Sequence, residues 1–409
     1  MAIASNFASS IISIYKRMKK SISLLVFLFA IGLFVASAQT KEKPVQSDNH
    51  LTIGGYGQID YNQPFGGTLR KNGTLDVHRM VLLLGYRFDA RTQFLTEIEY
   101  EHVNEVFIEQ AYLQYKLTNS ANFKAGLLLI PMGLINEYHE PLAFNGVERP
   151  LVDDVIAPTT WREIGVGFNG LIAPLSIKYQ AYVVNGFNGY KDNAGVFSGS
   201  GLRKGRQKGI NSYMSSPNLS LKADYFGLKN LQLGASLYLG KSQSALYNNL
   251  DENRQNDVAK ADSSVINLTM LGLDARYNHK ALQLKGQFYY SWIGNSDQYN
   301  RFTRKGNTSN DLGSEMLGWY VEAGYDVLSH FGGKDKSLTP FVRIEEYNTH
   351  QNVEAPILKN AKYHTTAYTT GLGYKLNKNS VLKVDVQFAK TKAETQFTKT
   401  FNAGVGVAF

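Results

Sequence analysis

The sequence predicts an all-β protein, a closed transmembrane antiparallel β-barrel of about 16 strands around a water-filled lumen. Apolar and polar residues alternate with period two from residue 51 to the end, connections alternate between short and long, and the last strand ends on Phe409. Alternation gives each strand one apolar and one polar face. Short turns at one rim and long loops at the other are typical of membrane barrels.

The predicted strands are long enough to cross a bilayer. They run for roughly nine to fourteen residues, whereas a tilted membrane strand needs about nine to eleven and a soluble strand has about five or six. In one of the clearest, Leu382, Val384 and Val386 alternate with Lys383 and Asp385. The predicted strands are 51–61, 75–88, 92–102, 106–117, 122–130, 161–171, 175–186, 217–226, 231–240, 264–277, 281–293, 314–327, 338–349, 363–376, 380–391 and 396–409.

The N-terminus predicts export. Residues 1–38 form an expected cleaved signal peptide, with basic residues at 16–20, an apolar run at 22–35 and Ala36-Ser37-Ala38 as the cleavage site. A retained anchor helix is the alternative, and Met18 is a candidate true start. Residues 39–50 form an expected periplasmic lead-in, and 51–409 the barrel. Phe409, after alternating apolar residues, resembles the C-terminal signal of outer-membrane barrels, so we expect the barrel assembly machinery and outer-membrane lipid as partners.

Composition excludes other classes. There is no Cys, which excludes disulfides and thiolate metal sites. The formal net charge is +9, but four of the positive charges lie in the first 38 residues. The remaining excess is mild and gives no clustered basic face, so we expect no nucleic-acid binding. The 25 Tyr and 22 Phe suit the aromatic girdles of a membrane barrel.

The position of each residue in the alternation of its strand, which we call strand parity, predicts which charges face the lumen. A barrel of about 16 strands is wide enough for an aqueous channel, whose lining charges set its selectivity. These lumen charges form either a balanced polar lining or a basic track opposite the acidic strand of Glu97, Glu99 and Glu101. The expected cations are Arg79, Arg87, Lys178, Lys222, Arg276, Lys285, Arg343, Lys375 and Lys383, and the other expected anions are Asp224, Asp274, Glu322, Glu345 and Asp385.

Two long loops carry further expectations. The loop 131–160 is rich in apolar residues, so we expect it to fold into the barrel and narrow the channel, or else to form a cap or a trimer contact. We interpret His139 within it as polar loop surface, and we expect no metal site and no cofactor. The next long loop holds Arg203, Lys204, Arg206 and Lys208. They either concentrate anions at the mouth or contact lipid phosphates.

A set of residues resembles a known family. Gly126 through Pro131 and Gly133, then Arg149-Pro150, then Arg162 and Gly165 resemble the corresponding region of phosphate-selective porins O and P, over about 50–409. The resemblance implies a trimeric sixteen-strand porin with an inward third loop and anion-preferring transport. It makes Arg149 and Arg162 candidates for anion contact. Members specific for phosphate have an arginine ladder and a lysine cluster, whereas here the basic candidates are scattered and matched by acids.

Three functions follow as hypotheses. The first is a passive outer-membrane porin for small hydrophilic solutes, anionic or neutral, assembled as a homotrimer. The second is a non-conducting structural barrel of a secretion or adhesion complex. The third is an outer-membrane hydrolase, which would need a nucleophile, a base and an orienting acid. The chain has no G-x-S-x-G motif, so we expect no enzyme.

Overall fold

Sixteen strands close into one antiparallel barrel in a computed structural model that describes residues 50–67, 69, 71–250, 254–331 and 335–409. The expected signal peptide, and the lead-in up to residue 49, lie outside the described residues. The barrel strands are β1 (Leu51–Phe65), β2 (Thr74–Arg87), β3 (Thr92–Glu101), β4 (Glu105–Lys116), β5 (Asn122–Leu129), β6 (Arg162–Ile172), β7 (Ile177–Val184), β10 (Asn218–Leu228), β11 (Leu231–Lys241), β13 (Asn267–His279), β14 (Leu282–Gly294), β15 (Glu315–Tyr325), β16 (Ser337–Asn352), β17 (His364–Asn377), β18 (Ser380–Thr391) and β19 (Thr398–Ala408).

Shorter elements lie in the connections. Three short strands, β8 (Asn188–Lys191), β9 (Ala194–Gly195) and β12 (Gln243–Ser244), form a separate small sheet in the order β12-β8-β9. The α-helices are α1 (Leu151–Val155), α2 (Gln255–Ser263) and α3 (Ser296–Phe302). Single 3-10 turns lie at Ala173–Leu175, Arg203–Gly205, Ala245–Asn249, Val327–His330 and Ala361–Tyr363.

Closure joins the first strand to the last. Tyr56 of β1 pairs with Ala408 of β19 on one side and with Val81 of β2 on the other. Each barrel strand therefore has two neighbours, and the sheet has no free edge strand to expose unpaired backbone groups. The sixteen predicted strands correspond to the sixteen barrel strands, with ends that differ by a few residues. The short strands β8, β9 and β12 were not predicted, because two to four residues carry too little alternation.

The barrel exposes apolar side chains and buries charged ones, which is the reverse of a soluble protein. Many large apolar side chains on the outer surface are exposed, among them Leu82, Leu273, Val321, Ile344 and Val405. Charged side chains on the lumen face are buried, among them Lys222, Glu322, Arg343, Lys383 and Asp385. Exposed apolar surface on this scale marks a face that meets another apolar phase. The strand parity thus places the polar groups around the barrel interior.

The long loops at one rim pack together over the mouth. We call residues 185–217, 242–250, 254–266, 295–314 and 353–363 the cap. Its apolar core continues into the barrel, where Trp161 stacks on Phe187 with ring centroids 4.5 Å apart and meets Tyr238 at 4.6 Å. Phe197 and Tyr299 belong to the same buried cluster. The cap therefore packs around a buried, partly apolar cluster at this rim.

None of the helices in the described residues has the length and apolar character required to cross a membrane.

Candidate pore and its inner loop

The connection between β5 and β6, residues 130–161, folds into the barrel, and we call it the inner loop. Its apolar residues are buried in the lumen, including Ile130, Leu134, Phe144, Val152 and Ile156. The prediction that residues 131–160 fold inward is confirmed, because the loop bonds to side chains on β1, β4, β10, β14, β16 and β18. Burying these apolar side chains offsets the conformational entropy lost when a long loop is ordered.

Lysines of the wall hold the inner loop by its carbonyl groups. Lys222 Nζ donates to the Gly133 carbonyl at 2.6 Å, and Lys285 Nζ donates to the Ala143 carbonyl at 3.0 Å. Lys383 Nζ donates to the carbonyls of Phe144 at 2.6 Å and of Gly146 at 2.9 Å. These three predicted lumen cations therefore bond to the protein itself.

Carboxylates of the wall bind the amide groups of the same loop. Asp385 accepts from the Val147 N–H at 2.7 Å, and Glu345 accepts from the Leu151 N–H at 2.6 Å. Glu322 accepts from the Asn145 side chain at 2.9 Å. Hydrogen bonds to charged groups are shorter and stronger than neutral ones. The second half of the inner loop is thus held on both its donor and its acceptor groups.

Arg343 connects two of these carboxylates. Its Nε lies 3.2 Å from Glu345 and its terminal nitrogen lies 3.3 Å from Glu322, and all three side chains are buried. Glu322 and Glu345 therefore each pair with Arg343 and each accept a hydrogen bond from the inner loop. A buried charge is tolerated only when paired in this way.

The acidic strand β3 pairs with a different cation. Arg79 of β2 lies 3.1 Å from Glu99 and 3.7 Å from Glu101. Glu97 lies on the same face and is buried. The acidic strand is therefore partly neutralised by its neighbouring strand rather than by a basic track across the lumen.

Glu109 is a buried acid that sequence parity did not find. Glu97 pairs with Gln110 and Ile98 with Ile108, so Glu109 is the extra residue of a β-bulge, which shifts the alternation locally. Its carboxylate lies 3.1 Å from His139 Nε2 and 3.6 Å from Arg162. The interpretation of His139 as polar loop surface was wrong, because its ring is buried and pairs with Glu109.

The two arginines singled out by the family resemblance contact protein groups. Arg162 is buried beside Glu109, and its guanidinium lies 5.5 Å from the centre of the Phe107 ring. Arg149 donates to the His139 carbonyl at 3.2 Å. Both therefore help to hold the first half of the inner loop.

A cavity of about 210 Å³ lies between the inner loop and the wall of β4–β7. Lys178 donates to the Tyr138 hydroxyl at 2.7 Å, and Arg276 lies 5.9 Å from the centre of the same ring. Lys124, which was not among the predicted residues, lies 4.1 Å from the centre of the Tyr112 ring. The alternation of the 122–129 segment would have placed Lys124 on the lumen face. Lys124 and Lys178 therefore line this open space and do not bond to a loop carbonyl.

The remaining predicted cations lie at the ends of the barrel. Arg87 is exposed at the last position of β2, and Lys375 is half-buried near the end of β17. In the cap, Arg203 lies 2.7 Å from Asp154, and Arg206 donates to the Thr159 carbonyl. Lys204 is exposed, and Lys208 lies over the Phe107 ring at 4.5 Å. Arg203 and Arg206 thus fasten the cap to the inner loop.

Comparison with known proteins gives relatives of the fold. No family model matches the chain, so the resemblance to phosphate-selective porins O and P is not confirmed. An uncharacterised protein of Aquifex aeolicus (strain VF5) is 29% identical over 357 residues, which are 84% of this chain and 76% of that protein.

Solved structures similar to this chain are outer-membrane barrels. The outer membrane channel DcaP of Acinetobacter baumannii has a TM-score of 0.57 at 12% identity, covering 88% of this chain and 97% of that one. An anion-selective porin from Comamonas acidovorans has a TM-score of 0.54 at 12% identity, covering 88% and 99%. The trimer form of OmpT of Vibrio cholerae has a TM-score of 0.50 at 12% identity, covering 88% and 100%. The chain therefore has the fold of the outer-membrane porin barrels.

Proposed function

We propose that the protein is an outer-membrane porin for the passive diffusion of small hydrophilic solutes, with a preference for anions. The observation that carries this is the closed barrel of sixteen strands with exposed apolar side chains outside, charged side chains inside and an inner loop across the lumen. Barrels of this strand number are wide enough for an aqueous channel, and an inward loop narrows such a channel to the size of small solutes.

The apolar outer surface supports residence in the outer membrane, reached through the expected signal peptide. The terminal Phe409 supports assembly by the barrel assembly machinery, because its ring is exposed while its N–H donates to the Gly55 carbonyl at 2.9 Å. A homotrimer is supported by the trimer form of the OmpT structure. A preference for phosphate in particular is supported by the family resemblance alone.

The anion preference is supported by the cations around the cavity. Lys124 and Lys178 line the cavity and have no carboxylate within ion-pair distance in the described part of the chain, whereas Glu137, the carboxylate in the lining, pairs with Lys222 at 3.3 Å. Unpaired cations beside open space attract anions. The selectivity would therefore arise at this cavity rather than at Arg149 and Arg162.

The test is the zero-current potential of the refolded protein in a planar bilayer under a KCl gradient. We expect a potential of the sign given by chloride permeation, and a shift towards potassium permeation in the double variant Lys124→Met and Lys178→Met. Lys378→Met, at an exposed turn outside the barrel, serves as the control and should keep the original potential. A potential near zero in the unmodified protein would reject the anion preference and leave a general diffusion pore.

The non-conducting structural barrel is a second candidate, favoured by the inner loop and the apolar cap over the mouth. Absence of conductance from protein that still shows heat-modifiable migration would favour it over a porin. The hydrolase hypothesis has less support, since no histidine ring in the described residues bonds to a serine or threonine hydroxyl.

A further inference from the structure

We propose that Asp60, His78 and Glu148 form a binding site for a divalent transition-metal cation where the inner loop meets β1 and β2. One potential ligand atom from each residue lies within 4.8 Å of the other two. The three residues come from separate parts of the chain and face the same space at the lumen wall. Neither the porin function nor the anion preference is needed for this site.

The backbone brings the ligands together at an irregular point of the sheet. Gln58 pairs with Arg79 but Asp60 pairs with Asp76, so β2 has one residue more than β1, and His78 lies in this bulge. His78 Nδ1 is 3.5 Å from Asp60 Oδ2. A bulge that re-aims a side chain often serves a site.

The inner loop supplies the third ligand in a fixed position. Asn62 of β1 donates to Glu148 Oε1 at 3.0 Å, and Gln58 donates to the carbonyl of the preceding Val147 at 3.1 Å. A tetrahedral ion with bonds of about 2.1 Å holds its ligand atoms about 3.4 Å apart. The three ligand atoms now lie within 4.8 Å of one another, so the widest separation must shorten by up to about 1.4 Å, which side-chain rotation can supply.

One ligand residue, Asp60, has unused binding capacity. Asp60 is 2% exposed, and its Oδ1 is buried without a hydrogen-bond partner in the described residues, while Oδ2 accepts from Gln58 at 2.7 Å. Across the strand pair is Gly404, where a side-chain carbon would lie 2.7 Å from that oxygen. A buried carboxylate oxygen without a donor is costly, and a cation would satisfy it.

The ligand set indicates the class of metal. Two carboxylates balance the charge of a divalent ion, and an imidazole nitrogen favours zinc, nickel, cobalt or copper over calcium or magnesium. His78 is 26% exposed, so an ion can reach the site from solvent. Bound there, the ion would link Glu148, and with it the second half of the inner loop, to the barrel wall.

Arg79 must rearrange when the ion binds. Its terminal nitrogen now donates to His78 Nε2 at 2.8 Å, which leaves the ring proton on Nδ1. Coordination through Nδ1 moves that proton to Nε2. The Nε2–H can then no longer accept the hydrogen bond from Arg79, because both groups are donors. Arg79 already lies 3.1 Å from Glu99 and 3.7 Å from Glu101, so these carboxylates can accept the guanidinium.

The test is isothermal titration of ZnCl2 into the refolded full chain, made without a histidine tag, in detergent and in a buffer that does not chelate metals. We expect one saturable site per chain, weakened at least about tenfold by Glu148→Gln and by His78→Gln. The control is His364→Gln, since His364 bonds to Glu346 and the described residues offer this pair no third ligand, so the affinity should stay unchanged. Heat-modifiable migration checks that each variant is folded.

Absence of saturable zinc binding, or equal binding by Glu148→Gln and the unmodified chain, would overturn the site. Glu148 is the decisive position because it lies in a loop, where a change of one atom leaves the barrel strands intact. Binding is measured in detergent without any current. A barrel that conducts but binds no zinc, or binds zinc but does not conduct, therefore separates this inference from the proposed function.

Discussion

The two faces of β18 differ completely although their residues alternate along one strand. On the outer face Leu382 and Val384 are each 42% exposed, and on the lumen face Lys383 and Asp385 are 6% and 3% exposed. In water this arrangement would be unfavourable on both faces, because apolar groups are hydrated while charges are buried. It is favourable when lipid covers the outer face and the inner loop covers the lumen face.

The two faces are stabilised by different means. The outer face needs only an apolar surface, so any apolar residue serves there. The lumen face needs particular partners, because each buried charge must meet a group of the inner loop or an opposite charge. Substitutions should therefore lower the free energy of unfolding most where a buried lumen charge loses its partner. They should lower it least in the cap, where water can replace the lost partner.

The largest effect is expected from Arg343→Met. It leaves Glu322 and Glu345 buried without their shared cation, so we expect the free energy of unfolding to fall by about 3–5 kcal/mol. Urea titration in lipid vesicles measures this. Arg301→Met is the matched control, since Arg301 pairs with Asp297 at 3.1 Å on the exposed surface and should cost under about 1 kcal/mol. Similar losses for both variants would contradict the role of lumen burial.

The next effect tests the outer face. Val384→Arg places a charge near the middle of the apolar band, and we expect a loss of about 2–4 kcal/mol in the same titration. Leu376→Arg, on the outer face near the end of β17, should cost only about 0–1 kcal/mol. The contrast depends on depth in a bilayer. Equal costs at the two positions would argue that the outer face does not contact lipid.

A smaller effect is expected from Lys383→Met, which removes two bonds to inner-loop carbonyls but keeps the apolar stem. We expect a loss of about 1.5–3 kcal/mol, together with faster proteolysis of residues 141–150 and a larger single-channel conductance. Lys375→Met is the control, because Lys375 makes no hydrogen bond or ion pair with the described residues. Unchanged proteolysis in Lys383→Met would show that the inner loop is held elsewhere.

The smallest effect is expected in the cap. Burial alone would raise the pKa of Asp311, but bonds from the Tyr363 hydroxyl and the Gly199 N–H outweigh it and hold that pKa below its ordinary value. A depressed carboxylate pKa stabilises the fold above the unfolded value, about 3.9, and this contribution is lost as the pH falls through the folded value. We therefore expect cap proteolysis by pepsin to rise as the pH falls from 4 to 2.

Asp311→Asn should weaken that pH dependence, because the amide does not titrate. Asp297→Asn, which alters an exposed carboxylate on α3, corrects for the pH dependence of pepsin itself and should behave like the unmodified chain. If Asp311→Asn and Asp297→Asn give the same profile, Asp311 does not control the cap.

The sequence by itself determined the barrel. Period-two alternation specifies which residues face outward, and the number of alternating runs specifies the number of strands, so the β18 pattern is readable without coordinates. The same alternation would also have given Asp60 and Lys124, which we did not single out. The inward direction of the inner loop was predictable because its apolar residues cannot remain in water.

Only the tertiary structure decided the partners. Glu109 and His78 lie at bulges, where one extra residue breaks the alternation that parity relies on. The bonds of Lys383 to the inner loop join residues about 240 positions apart, and Asp60, His78 and Glu148 meet only because the loop returns to β1. Alternation reports the face on which a side chain lies, but not its height or what lies opposite, because both depend on register and loop path.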